Sequence, residues 1–175
     1  MIVKILIGIA VLIAIPLIIA LFIKKEYGVS RELVINKPNQ QVFNYVKNIR
    51  NQDYFSKWVM QDPTMKKDFT GTDGTVGFIY AWDSKDKNAG KGAQEITKID
   101  EGKEINMEVR FERPFAGVAH TYMVTDSISP TQTKVKWGMT GQNKWPMNFM
   151  NLFIPGMLGK DIDTSLNNLK VILEK

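Results

Sequence analysis

Residues 145–175 read WPMNFMNLFIPGMLGKDIDTSLNNLKVILEK, and this closing stretch decides the fold. Its second half carries apolar residues at steps of four, four, three and four, namely Leu158, Ile162, Leu166, Leu169 and Leu173. That spacing predicts an α-helix of about four turns with one apolar face, beginning near Met157. Such a helix needs a partner surface, so the preceding chain is expected to supply a sheet.

The first half of the stretch is apolar but interrupted. Pro146 opens a helical piece in which Met147, Met150 and Phe153 recur at spacing three, and Pro155-Gly156 is expected to break it before the long helix. We interpret Trp145 to Gly156 as a candidate gate that could also touch a lipid bilayer.

The chain before this stretch alternates with period two. A strand is predicted at 65–70, and five further strands are predicted at 76–82, 91–99, 105–112, 118–124 and 135–139. Short turns join them, which favours an antiparallel meander that is polar on one face and covered by the terminal helix on the other. Upstream, residues 31–36 predict a first strand and residues 39–49 a short amphipathic helix.

The N-terminal run 5–23 contains no charged or polar side chain. Nineteen residues at about 1.5 Å each approach the thickness of a hydrocarbon core, so we interpret the run as an uncleaved membrane anchor rather than a signal peptide. Lys24, Lys25 and Arg31 follow it, which favours a cytoplasmic domain. The predicted organisation is an anchor at 1–25, a short tether at 26–30 and one domain at 31–175.

Composition excludes several kinds of site. The chain has no cysteine and one histidine, which removes thiol chemistry and His-pair zinc motifs. Its basic residues lie scattered among 18 acidic ones, so nucleic-acid binding is not expected. The GTDGTVG run at 71–77 lacks the lysine of a phosphate-binding loop and is interpreted as a turn. We therefore predict no metal, no cofactor and a monomeric protein.

An ordered set of short motifs carries a family resemblance over about 145 residues. It comprises Lys37-Pro38, Val42-Phe43, Trp58, Asp62-Pro63, Gly74-x-x-Gly77, Trp82, Gly90-x-Gly92, Ile96, Arg113-Pro114-Phe115, Thr133-x-Val135-x-Trp137-x-Met139-x-Gly141, Leu166-x-x-Leu169-Lys170 and Glu174. In this order the chain resembles the SRPBCC superfamily, the START-like or helix-grip group, and within it the polyketide cyclase/dehydrase-like branch.

The resemblance implies an α+β helix-grip fold, in which a curved antiparallel sheet wraps a long C-terminal helix around an internal apolar cavity. Here one transmembrane helix would precede that fold. Members of the superfamily bind lipids, sterols, polyketides or other hydrophobic molecules, and some are cyclases. The anchor departs from the pattern of a soluble carrier.

Strand parity and helix spacing select a candidate cavity lining. The residues expected to face inward are Tyr80, Trp82, Met107, Phe111, His120, Tyr122, Trp137, Met139, Trp145, Met150, Phe153, Leu158, Ile162 and Leu166. Large aromatic and methionine side chains suit an apolar pocket, although the same residues would also suit an ordinary packed core. His120 is the best catalytic candidate, and the alternative is a buried neutral histidine within the sheet.

Three functions therefore stay open from the sequence. The first is binding of a hydrophobic or lipid-like small molecule at a membrane surface. The second is a cyclase- or dehydratase-like enzyme that uses His120 with Tyr80 or Tyr122. The third is a protein-interaction module of the kind found in chaperone-associated domains, which would favour a solid core with a large apolar surface patch.

Overall fold

One antiparallel sheet of seven strands dominates the computed structural model, which describes residues 2–86 and 89–175. The spatial order is β1-β7-β6-β5-β4-β3-β2, so β2 to β7 form a meander and β1 joins its far edge. The strands are β1 Glu26–Ile35, β2 Lys66–Thr70, β3 Ile79–Asp83, β4 Lys91–Asp100, β5 Glu104–Arg113, β6 Gly117–Ser129 and β7 Gln132–Gln142.

Five α-helices accompany this sheet in the described part of the chain. They are α1 Ile2–Phe22, α2 Asn39–Lys47, α3 Gln52–Phe55, α4 Lys57–Met60 and α5 Ile154–Leu173. A 3₁₀ turn at Ile49–Asn51 precedes α3, and a longer 3₁₀ segment, Met147–Leu152, precedes α5. The predicted α+β helix-grip fold is confirmed, because the curved sheet holds the long terminal helix on one face.

Strand β1 includes the residues that were expected to form a tether. Residues 26–30 are its first half, and its ladder with β7 begins at the pair Glu26 and Gln142 and ends at Ile35 and Thr133. The sheet therefore starts four residues after α1 ends, which brings that helix close to the domain. Met1 of the predicted anchor lies outside the described residues.

Helix α5 begins earlier than its sequence suggests. Pro155 and Gly156 lie in its first turn, where proline is accepted because the first backbone N–H groups of a helix have no intrahelical partner. Its predicted apolar face is buried, with Ile162, Leu166 and Leu169 at 0–1% exposure. The helix lies along β1 and against α3 and α4, which cover the middle of the sheet.

Helix α1 is long enough and apolar enough to span a membrane, by length and composition only. Almost all of its described side chains are exposed. Its C-terminal end is held by two asparagines of the 3₁₀ segment. Asn148 Nδ2 donates to the carbonyl oxygens of Ala20 and Ile23, at 2.6 and 2.9 Å. Asn151 Nδ2 donates to the carbonyl oxygens of Lys24 and Lys25, both at 2.9 Å.

This asparagine clamp binds one carbonyl in the last turn of α1, that of Ala20, and three carbonyls directly after the helix end. The last carbonyls of a helix have no intrahelical partners. Both side chains are buried, at 2% and 9% exposure, and Asn143 Nδ2 donates to Asn151 Oδ1 to fix the second amide. The clamp therefore joins α1 to the segment just before α5 through defined hydrogen bonds.

Candidate functional site

A cavity of about 230 Å³ lies between the inner face of the sheet, helices α3 and α4, and the first half of α5. Its lining is mainly aromatic and aliphatic. The lining residues are Gln52, Ser56, Trp58, Val59, Met65, Tyr80, Trp82, Ala89, Gln94, Val109, Phe111, Thr121, Trp137, Met139 and Leu158. Among the described residues no charged side chain lines it, so the cavity suits an uncharged guest.

Edge-to-face aromatic pairs build two of its walls. Trp137 on β7 meets Trp58 of α4 with ring centroids 5.6 Å apart, and it meets Phe55 at 5.9 Å. On the other side Trp82 of β3 meets Phe111 of β5 at 6.2 Å. These geometries match the preferred packing of aromatic rings, which makes both walls rigid.

The indole N–H groups of the walls already have partners within the protein. Trp137 Nε1 donates to Thr121 Oγ1 at 2.9 Å, and that hydroxyl donates to the carbonyl oxygen of Gly138 at 2.8 Å. Trp82 Nε1 donates to the carbonyl oxygen of Ala89 at 2.9 Å. Both rings therefore present apolar faces to the cavity.

Gly92 on β4 shapes the same wall. It pairs with Trp82 across the strands, and a Cβ added at this position would lie 2.7 Å from the Trp82 ring and 2.5 Å from the Arg110 carbonyl oxygen. The absence of a side chain lets the indole lie flat across the strand.

Tyr80 is neutral in this environment. Its hydroxyl donates to Asp53 Oδ1 at 2.9 Å, and Lys67 Nζ lies 2.9 Å from the other carboxylate oxygen. Burial, followed by the adjacent Asp53 carboxylate, raises the pKa of Tyr80 well above its usual range. The hydroxyl is therefore a hydrogen-bond donor to Asp53 at physiological pH.

Helices α3 and α4 are tied to α5 by polar contacts that set the cavity's roof. The Lys57 backbone N–H donates to Ser165 Oγ at 2.9 Å, and the Lys57 ammonium pairs with Asp161. Asn168 Nδ2 donates to the carbonyl oxygen of Phe55 at 3.2 Å. These contacts position Gln52, Ser56 and Trp58 over the sheet.

The structure sorts the predicted lining residues into three groups. Six of them line the cavity: Tyr80, Trp82, Phe111, Trp137, Met139 and Leu158. Three lie in the packed core beside it: Met107, Ile162 and Leu166. Three are exposed outside it, namely Trp145, Met150 and Phe153, at 50%, 39% and 50%.

His120 and Tyr122 do not face the cavity, which corrects the parity assigned to β6. The inward residues of this strand are Ala119, Thr121, Met123 and Thr125, whereas His120 is exposed beside Glu108 on the outer face. The Tyr122 ring lies over Gly138, where an added Cβ would collide with it. The alternation of β6 did not show which of its faces is buried, because both faces carry apolar side chains.

Several lining residues escaped the sequence prediction. The aromatic-rich connection at 51–60 supplies Gln52 from α3, Trp58 and Val59 from α4, and Ser56 between these two short helices. It has too few turns to show a periodicity. Gln94 and Thr121 are polar residues on inward-facing strand positions. The parity assigned to β6 placed Thr121 on the outer face, so the sequence prediction did not include it.

Across residues 2–86 and 89–175, no group of three or more His, Asp or Glu side chains is placed to hold a metal ion.

A model of the family described as polyketide cyclase/dehydrase and lipid transport matches residues 28–174. Comparison with curated proteins finds no significant match. Among solved structures, norcoclaurine synthase from Thalictrum flavum, in complex with dopamine and hydroxybenzaldehyde, superimposes with a TM-score of 0.64 at 10% identity, covering 85% of this chain and 86% of that one.

Two further structures are similar. A protein from Chromobacterium violaceum gives a TM-score of 0.61 at 14% identity, covering 85% of this chain and 97% of that one. The Aha1 dimer from Colwellia psychrerythraea gives 0.59 at 13% identity, covering 84% and 96%. At these identities the three neighbours show a shared fold.

Proposed function

We propose that this chain, which belongs to the polyketide cyclase/dehydrase and lipid transport family, binds a hydrophobic small molecule in the cavity beneath α5. The fold is one that generally binds hydrophobic small molecules. The observation that carries the proposal is the cavity itself, which has aromatic walls and indole N–H groups already paired within the protein. A packed core would fill that space with side chains.

The size of the cavity limits the ligand. An apolar cavity of about 150 Å³ holds benzene, and pockets for drug-sized ligands exceed about 300 Å³. A volume of about 230 Å³ therefore suits a compound of one or two rings, or one end of a lipid. The dopamine and hydroxybenzaldehyde bound by the similar norcoclaurine synthase are single-ring aromatics of this class.

The geometry supports binding over the other two functions. An enzyme acting in the cavity through His120 is disfavoured, because that side chain lies on the outer face of the sheet. An interaction module was expected to have a solid core, whereas this core holds a cavity. Binding requires only the cavity and its apolar walls.

We propose further that α1 anchors the domain to a membrane. The apolar patch beside its end supports this, because Trp145, Met147, Met150, Leu152, Phe153 and Met157 are all exposed. Trp145 Nε1 donates to the Leu17 carbonyl oxygen at 3.3 Å, so its ring lies beside the last turns of α1. That is the level of the membrane interface for a spanning helix, where tryptophan is enriched.

Lys24 and Lys25 at the end of α1 favour a cytoplasmic domain. A single cysteine placed at the exposed Thr131 should then resist a membrane-impermeant maleimide in intact cells and react after permeabilisation. Labelling in intact cells would reverse the orientation.

Native mass spectrometry of the full chain, released from mild detergent, tests the binding proposal. The expected species is a monomer carrying a small hydrophobic adduct. The comparison is with the cavity-filling variant Val109→Phe, because Val109 lines the cavity and a phenyl ring at this position would occupy the space. The adduct should disappear from this variant while its melting temperature stays within a few degrees of the unsubstituted protein. An adduct of equal abundance in both proteins would overturn cavity binding.

A further inference from the structure

One buried donor in the cavity wall is left without a partner. Gln52 lines the cavity at 3% exposure, and its Nε2 makes no hydrogen bond in the described part of the chain. A buried amide N–H group that lacks a partner destabilises the fold, because it has lost its hydrogen bonds to water. An apolar side chain of similar size would make the ligand-free protein more stable at this position. The polar amide of Gln52 therefore indicates a role in the ligand-bound protein.

Three other polar side chains of the lining have hydrogen-bond partners within the protein. Gln94 Nε2 donates to Met107 Sδ, and Thr121 Oγ1 lies between Trp137 and Gly138. The Tyr80 hydroxyl donates to Asp53. Gln52 therefore differs from these groups, since its buried amide nitrogen still has hydrogen-bonding capacity.

We infer that the ligand is an uncharged ring compound with an oxygen function, a carbonyl or hydroxyl, whose oxygen accepts a hydrogen bond from Gln52 Nε2. This inference rests on the proposed binding function and specifies its ligand class. The apolar walls take the ring, and the unpaired Gln52 amide takes the oxygen. A charged group is disfavoured, because the described lining offers no opposite charge to compensate its loss of water.

The assignment has two opposite consequences for a substitution. Gln52→Met keeps the length of the side chain and removes the donor, so the ligand-free protein should melt at the same or a higher temperature. The same change should weaken a ligand that carries the oxygen. A purely structural glutamine would produce the reverse pattern, with a lower melting temperature and no selective effect on ligands.

The experiment compares two probes of nearly equal shape, acetophenone and cumene, which differ in having a carbonyl oxygen or a methyl group. Each is titrated calorimetrically into the full chain in nanodiscs. The proteins are the unsubstituted chain, Gln52→Met, and the control Gln61→Met, whose glutamine is exposed and lies outside the cavity lining. Partition of each probe into lipid is common to all three proteins and cancels in the comparison.

The expected result is a preference for acetophenone over cumene that falls about 5- to 10-fold in Gln52→Met, as the loss of one net hydrogen bond predicts, and is unchanged in Gln61→Met. If both probes bind and Gln52→Met leaves their ratio unchanged, the assignment of Gln52 is overturned while cavity binding stands. If neither probe binds the unsubstituted protein, the assignment and the proposed cavity function both fall.

Discussion

At the scale of single residues, the indole N–H groups of the cavity walls are paired within the protein, which leaves aromatic faces toward the cavity. Thr121 illustrates this, because its hydroxyl holds the Trp137 indole and the Gly138 carbonyl and leaves an aromatic face toward the space. The sequence predicted Trp137 as a lining residue through strand alternation. It could not assign the partner, since a hydrogen bond between neighbouring strands depends on a register that alternation does not fix.

Asp62 is a residue whose carboxylate holds Ser84, directly after β3. It accepts hydrogen bonds from the Ser84 and Thr64 hydroxyls, and these bonds, Ser84 first, lower the pKa of Asp62 below its ordinary value of 3.8. A carboxyl with a depressed folded-state pKa contributes stability that is present above its unfolded pKa and is lost as the pH falls through the folded one. The contact between Asp62 and Ser84 should therefore weaken only below about pH 4.

Carbon-13 NMR titration of the Asp62 carboxyl tests this. We expect a midpoint below 3.8, which moves upward in Ser84→Ala and stays in place in the control Ser127→Ala, whose hydroxyl lies on β6. A midpoint at or above 3.8 in the unsubstituted protein would contradict the account.

At the scale of elements, the junction between α1 and the 3₁₀ segment departs most from the sequence prediction. A short tether was expected at 26–30, whereas β1 begins there and two buried asparagines clamp the helix end. Sequence patterns identified the apolar run and the apolar closing stretch separately. Their contact joins residues about 125 positions apart in the sequence, and a local periodicity cannot show which distant segments come together.

The clamp should hold the apolar patch against the bilayer. Because the chain has no native cysteine, a polarity-sensitive fluorophore can be attached at Phe153→Cys alone, with Ile128→Cys as an exposed control on β6. In nanodiscs the label at 153 should emit at shorter wavelength and be quenched by spin-labelled lipids, and the label at 128 should not. Equal, unquenched spectra at both positions would exclude bilayer contact.

A second variant separates the clamp from the patch. Asn148→Asp with Asn151→Asp replaces amide donors by carboxylates that face the helix carbonyls, so the clamp should open through repulsion. We expect weaker lipid quenching at 153 in this background, and unchanged quenching in the exposed control Asn44→Asp.

At the scale of the whole molecule, the fold was predictable because its pieces are periodic. The terminal helix showed its stripe, the central strands showed alternation, and the order of short motifs resembled one family. The cavity was less predictable, since it lies where α3 and α4 cross the sheet, and two four-residue helices carry too few turns to show an amphipathic face. The Gln52 amide belongs to one of these helices.

The central claim, that a hydrophobic molecule occupies this cavity, is tested most directly by methionine-methyl NMR of the full chain during titration with naphthalene. Met65 and Met139 line the cavity, whereas Met60 is exposed and Met147 belongs to the apolar patch. The account predicts saturable ring-current shifts at Met65 and Met139, with no saturable shift at Met60. Shifts confined to Met147 and its exposed neighbours, or absent from Met65 and Met139, would contradict it.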